Sequence, residues 1–264
     1  MKKSIIFLFL CVSHSFLSQF NFHREVILPV KTVQWFVDPL GNHYAQENNK
    51  LSKLDTLGKV QFSQAIKSQG EISQLVFNSA QKVIAFSEEQ QQICIFDNTL
   101  TPITSCLNLD DFSILNATAI ASSSRANSVW IYDRVNSSVL QLDTDKKVVY
   151  QQLKNITGLI GFSGNISYLK EEDEQLWISD GERTFSFDLN LNLMQENDFS
   201  CGPKSFIKAS TFFEFGDNAF FILDLNTKKQ GIGENPVAEA EKITYSNGYF
   251  YFQKGNKILL YKIG

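Results

Sequence analysis

The sequence predicts an all-β chain, a six-bladed β-propeller of four-stranded antiparallel sheets, on three observations. A strand-turn-strand phrase recurs, clearest where Val129-Trp130-Ile131-Tyr132-Asp133 precedes Val139-Leu140-Gln141-Leu142-Asp143. It returns where Leu176-Trp177-Ile178-Ser179-Asp180 precedes Thr184-Phe185-Ser186-Phe187-Asp188. The second strand of each phrase ends at Asp55, Asp97, Asp143, Asp188, Asp224 and Lys262, at intervals of 36 to 46 residues. Such an interval holds about four short strands with their turns, the content of one propeller blade. Finally, the last repeat lacks a fourth strand while a spare one, at 25–30, precedes the first. Pairing of 25–30 with 257–262 would close the ring and remove the open sheet edges at which chains aggregate.

The elements follow in order. Residues 1–18 read as a signal peptide: Lys2 and Lys3, an apolar stretch from Ile5 to Val12, then a small-residue exit with cleavage after Ser15 or Ser18. Cys11 is a poor lipidation site because bulky Leu10 precedes it. Residues 19–264 form one domain. Its strands are expected at 33–37, 42–46, 51–55 and 60–63 in unit 1, and at 72–77, 83–86, 93–97 and 103–107 in unit 2. Unit 3 takes 118–122, 129–133, 139–143 and 148–153; unit 4 takes 165–169, 176–180, 184–188 and 193–197. Unit 5 takes 206–209, 211–215, 219–225 and a weak strand near 229–231; unit 6 takes 243–246, 249–252 and 257–262. Gly41-Asn42, Gly181-Glu182 and Asn247-Gly248 sit where strands reverse, because Gly and Asn tolerate positive φ. The one helix-like patch is short, at 237–242.

Composition narrows the function classes. A 43% hydrophobic chain of 264 residues buries a sizeable core, and 23 Phe suit sheets packed face to face. The net charge is −4 with no Lys/Arg block, so a phosphate backbone is repelled and no nucleic-acid partner is expected. Nothing after the leader approaches 18 consecutive apolar residues, so no transmembrane segment is expected. A monomer exported to the periplasm or cell envelope, or secreted, is the reading.

At Asp38-Pro39-Leu40-Gly41-Asn42-His43-Tyr44 the chain resembles the Asp-x-x-Gly-Asn-x-Tyr phrase of NHL-type β-propellers, and the phrases ending at Asp143 and Asp188 resemble degenerate copies. Leader, Phe/Asn/Lys-rich composition and unit 1 together also resemble small secreted propeller-like proteins of Bacteroidetes. The resemblance implies a propeller over the whole mature chain. It implies no site residues, because the matching positions are turn positions.

Candidate chemistry is sparse. Asp110-Asp111 and Glu171-Glu172-Asp173-Glu174 are acidic clusters, but calcium loops alternate acids with Gly or Asn so that the chain wraps the ion. Four consecutive acids diverge, which predicts a solvated loop. The repeated strand-end Asp is expected to accept backbone N–H bonds from its own turn. His23 and His43 are the histidines left after the leader; His43 near Asp38 reads as a surface strand residue. The glycines at 158, 161 and 164 mimic a phosphate loop but precede strand-forming sequence rather than a helix, so they read as an inter-blade loop. Trp35, Trp130 and Trp177 recur at blade spacing and read as inter-sheet core. Cys94 and Cys106 fall opposite one another if a hairpin turns near Leu100, within reach of a disulfide in an oxidising compartment. Two buried thiols are the alternative.

No cofactor and no catalytic residue is expected. The expected function is a non-catalytic binding platform for a protein or glycan partner. The alternative is a propeller hydrolase or lactonase with a metal at the channel mouth. That alternative needs oxygen ligands from several innermost strands. Asp38 and Asn78 are the two candidates there.

Overall fold

The computed structural model describes residues 20–29, 34–48, 50–66, 70–79, 82–162 and 164–263. Their strands form six four-stranded antiparallel sheets. The first strand, β1 (Phe20–Ile27), stands apart from those that follow it in sequence. Blade 1 holds β2 (Gln34–Val37), β3 (His43–Glu47), β4 (Lys50–Leu54) and β5 (Val60–Ala65). Blade 2 holds β6 (Gln74–Ser79), β7 (Lys82–Ser87), β8 (Gln92–Asp97) and β9 (Leu107–Asn108). Blade 3 holds β10 (Ala117–Ser122), β11 (Ser128–Asp133), β12 (Ser138–Asp143) and β13 (Val148–Leu153). A one-turn helix, α1 (Ile156–Ile160), leads into blade 4 with β14 (Tyr168–Glu172), β15 (Gln175–Ser179), β16 (Thr184–Asp188) and β17 (Leu193–Asn197). Blade 5 holds β18 (Ser205–Lys208), β19 (Thr211–Phe215), β20 (Ala219–Asp224) and β21 (Gln230–Glu234). Blade 6 holds β22 (Lys242–Ser246), β23 (Tyr249–Lys254) and β24 (Lys257–Ile263), with β1 hydrogen-bonded to β24 as its outermost strand.

Burial explains the sequence pattern strand by strand. Middle strands are covered on both faces by neighbouring blades, so every residue of β11 and β12 is buried. Outermost strands keep one face in water, and β5 and β13 are mostly exposed. The core is accordingly divided into six apolar clusters, one at each seam between adjacent blades. Trp35 and Trp130 are buried in two of them, and Trp177 in a third, as the blade spacing predicts. Each fully buried large side chain contributes about 1.5–3 kcal/mol relative to exposure.

The strand-end aspartates do what their position predicts. One carboxylate oxygen of Asp55 accepts from the N–H groups of Leu57 and Lys59, at 2.9 and 3.0 Å. Asp97, Asp143, Asp180, Asp188 and Asp224 repeat the pattern within their own turns. Hydrogen bonds from Thr99 and Thr101 hold the Asp97 carboxyl below its usual range, and bonds from Asn192 and Asn190 do the same for Asp188.

Several expectations are corrected. The closing strand is Phe20–Ile27 rather than 25–30; Ile27 pairs with Lys257 and Phe20 with Ile263, with a bulge between Phe22 and Arg24. Val30 lies outside the described residues, as do residues 1–19 with the expected leader. Beyond Pro102 the segment expected to be strand at 103–107 pairs regularly only at Leu107–Asn108, where a 3-10 turn (Leu109–Phe112) takes over. In blade 4 the innermost strand is Tyr168–Glu172, not 165–169, and in blade 5 the weak fourth strand is a full one at Gln230–Glu234. Helix forms at Ile156–Ile160 instead of 237–242, with the Asn155 side chain capping Gly158 N–H.

Candidate functional site

The innermost strands surround a central channel holding a cavity of about 300 Å³. Its walls come from β2, β6, β10, β14 and β22, chiefly Phe36, Phe77, Ile120, Ser122 and Tyr245 with Lys170 and Lys242. Because side chains alternate along a strand, Lys170 and Glu172 share one face of β14. Glu172 forms ion pairs with Lys170 at 2.9 Å and with Lys208 of β18. Burial pushes the Glu172 carboxyl up, but the two ammonium groups outweigh that and hold it below the usual range. Its hydrogen bond in turn raises Lys208.

Lys242 differs. Its ammonium donates to the Trp35 carbonyl at 2.8 Å and lies 4.5 Å from the Phe36 ring centroid. Among the described residues no carboxylate pairs with it. The residue as a whole is only half-buried, yet its amine lies deep enough that desolvation lowers it from 10.5 to about 8. A buried charge of this kind is costly unless something neutralises it.

The acidic run at 171–174 is not simply solvated. Asp173 and Glu174 have φ of 52° and 59° and make the tight turn into β15. Glu171 accepts from the Trp130 indole N–H at 2.5 Å and the Ser124 N–H at 2.9 Å, both in blade 3. Asp173 accepts from the Ser210 N–H in blade 5 at 2.9 Å. Three of the four acids therefore brace blade 4 against its two neighbours, and no ion-wrapping loop forms.

Asp38 and Asn78, the expected channel candidates, are occupied elsewhere. Asp38 is fully buried, and its carboxylate accepts from Leu40 N–H, Asn42 N–H, the Asn42 amide and the Tyr44 hydroxyl. It holds the β2–β3 turn, whose Gly41 has φ +84°. Asn78 donates to the Ser128 carbonyl at 3.1 Å, joining blades 2 and 3. Among the described residues no group of three His, Cys, Asp or Glu side chains converges as a metal site would require.

His43 corrects the expectation of a surface residue. It is fully buried at the seam between blades 6 and 1, where its Nδ1 accepts from the Trp35 indole N–H at 3.2 Å. Burial, reinforced by Arg24, lowers it to about 4. Cys94 and Cys106 are joined by a disulfide with Cα atoms 4.2 Å apart, and the register of β8 with β9 sets them opposite one another. Cys201 is a buried free thiol that burial pushes up to about 12, far from a reactive thiolate.

Sequence reasoning missed the three lysines. Setting the blade 4 inner strand at 165–169 left Lys170 and Glu172 outside it, and a Lys at a strand end ordinarily reads as solvent-facing. The detectable signal was the alternation Lys170-x-Glu172, which places opposite charges on one strand face.

No protein-family model matches the chain, nor does any curated sequence. Solved structures do match. The Pan2 WD40 domain of Neurospora crassa is similar with a TM-score of 0.62 at 10% identity, over 92% of this chain and 94% of that one. Virginiamycin B lyase from Staphylococcus aureus is similar at 0.60 and 13% identity, over 90% and 83%. BamB from Moraxella catarrhalis is similar at 0.55 and 12% identity, over 93% and 100%. At such identities the likeness establishes the fold: this chain is an all-β propeller of six four-stranded blades, closed by its first strand.

Proposed function

We propose that this propeller is a non-catalytic platform, exported to the cell envelope, that holds a protein partner on the rim of its channel. The blades are taken as NHL-like in kind, as the Asp38–Tyr44 phrase suggests, and the working unit as a monomer. The observation that carries the reading is the donor set of the channel. Its inner strands carry two carboxylates, Glu171 and Glu172, both engaged by donors of the protein itself, where a metal-dependent hydrolase needs several converging oxygen ligands. A rigid ring with varied loops suits display, since binding residues are carried disproportionately on loops held by a scaffold. The similarity to a WD40 domain and to BamB agrees with display at the level of fold alone. A protein is favoured over a glycan at the rim because all three tryptophans are buried and the large exposed aromatics, Phe22, Phe62 and Tyr150, lie on outer strands away from the channel.

Site-specific photocrosslinking in the producing bacterium tests this. A photoreactive residue at exposed Leu40, beside the channel on the β2–β3 turn, should give one discrete protein adduct in the envelope fraction. The same group at exposed Phe62, on outer strand β5, should not. Adducts from both positions alike, or a purified protein whose lactone hydrolysis depends on an added divalent cation and is lost in Glu172→Gln, would overturn the reading.

A further inference from the structure

We infer that the channel cavity is a binding site for a small organic monocarboxylate carrying an apolar or aromatic group, with Lys242 as its charge partner. Among the described residues, Lys170 and Lys208 share Glu172, whereas Lys242 has the Trp35 carbonyl and the Phe36 ring face but no carboxylate. An ammonium has three N–H donors, so two of them are left for a ligand. The neighbouring acids do not compensate it: Glu172 is held by Lys170 and Lys208, Glu171 by donors of blade 3 and Asp173 by a donor of blade 5.

The rest of the cavity selects the tail. Phe36, Phe77, Ile120 and Tyr245 make its wall apolar, with Ser122 and Thr244 adding hydroxyls. Its volume, about 300 Å³, sits at the small end of ligand sites, room for one ring and a short chain. A hydrated inorganic anion would leave that apolar wall uncovered, and a neutral aromatic would leave the ammonium uncompensated. An arylalkyl carboxylate satisfies both. The charge-assisted hydrogen bond between carboxylate and ammonium adds to what the apolar wall contributes, because the Lys242 amine is already partly desolvated in the fold. The lowered amine of Lys242 agrees, since desolvation without a counter-charge is the condition that an incoming carboxylate relieves. The inference does not depend on the platform reading, because a rim-bound protein and a channel-bound acid use different surfaces.

Isothermal titration of the protein, purified after expression of the full chain, uses phenylacetate and its uncharged isostere phenylacetamide as probes. Phenylacetate should bind one per chain with a Kd of about 1 mM or below, and phenylacetamide about tenfold or more weakly. Lys242→Met should remove that preference while leaving the weak amide binding, and Lys242→Arg should retain most of it. Equal binding of both probes, binding of neither, or an unchanged preference in Lys242→Met overturns the inference. If Lys242→Met does not fold, reductive methylation of the wild-type protein decides instead. Phenylacetate should protect the Lys242 amine, read by peptide mass spectrometry, and phenylacetamide should not; equal labelling under both overturns it.

Discussion

His43 shows how one buried side chain sets a pH limit. Its Nδ1 accepts a hydrogen bond from the Trp35 indole N–H, so in the neutral ring the proton sits on Nε2, an atom with no hydrogen-bond partner among the described residues. Its folded value of about 4 lies below the ordinary 6.5. The unfolded chain therefore binds more protons between those two values, and stability must fall as pH drops through that window. The full effect is about 3 kcal/mol, from roughly 1.36 kcal/mol per unit. Urea unfolding at pH 7, 5.5 and 4 should show this loss in the wild type. His43→Gln should be less stable at pH 7 and much flatter across the window. Asp97, Asp188 and Asp224 are held below 3.8 and Glu172 below 4.5, so their contributions are lost chiefly at lower pH and equally in both proteins, which leaves the difference in slope to His43. An equal slope in both proteins would refute the assignment. Cys94 and Cys106 make a second residue-scale prediction. The bond spans a sequence separation of 12, and closing so short a loop is worth about 3 kcal/mol. Alkylation of the denatured, unreduced protein should tag Cys201 and leave Cys94 and Cys106 untagged, and reduction should lower the urea midpoint; tagging of all three would sink the bridge.

Among the elements, β1 holds the ring closed by more than its ladder to β24. Phe20 packs edge-on against Phe220 of blade 5 at 4.9 Å and Phe250 of blade 6 at 5.1 Å between ring centroids. Val26, at the other end, is buried against Trp35 and Tyr251 in the seam with blade 1. Phe20→Ala should cost about 3 kcal/mol, in the range for large core truncations. Removing residues 20–27 should cost more, and should also drive association through the bared edge of β24. Calorimetry with size-exclusion chromatography measures both; a truncated chain that melts like the parent and stays monomeric would end the closure argument. Ring closure was legible in the sequence because it is a matter of counting strands, and the strand-end Asp turns because they are local chemistry. The start of β1 was not, because the bulge between Phe22 and Arg24 breaks the strand's alternation and separates Phe20-Asn21-Phe22 from the apolar run at 25–30. Nor was β14, because Asn165-Ile-Ser-Tyr-Leu169 has strand-like composition and only the assembled ring selects Tyr168–Glu172. Gly233 was silent for the same reason: a Cβ there would lie 2.4 Å from the Phe220 ring, a constraint set by packing within the folded blade. The site lysines were hidden because a strand's inward face is decided by the neighbouring blades.

At the scale of the whole molecule, six seams of similar construction make a ring whose point of opening is arbitrary. The two ends of the described chain lie side by side, Phe20 being paired with Ile263 across an antiparallel ladder. A hairpin linker of about three to five residues suffices to join them. New ends can be cut in the exposed turn between β12 and β13, at Lys146–Lys147, where φ of Lys147 is 56°. In that permutant of residues 20–263, β13 becomes the first strand and completes blade 3 from the opposite end, as β1 completes blade 6 in the parent. No core contact is lost, because the outer strand β13 is mostly exposed and the β11–β12 interior is untouched. The permutant should fold to the same sheet content, and its Tm should lie within about 5 °C of the parent, equivalent to about 1–2 kcal/mol for a chain of this length. Phe20→Ala should now cost less, because the linker ties β1 to β24 covalently and the strand can no longer peel from a free end. A permutant that fails to fold, or that keeps the full Phe20→Ala penalty, would show that β1 has a role in assembly that the outer strands of the other five blades lack.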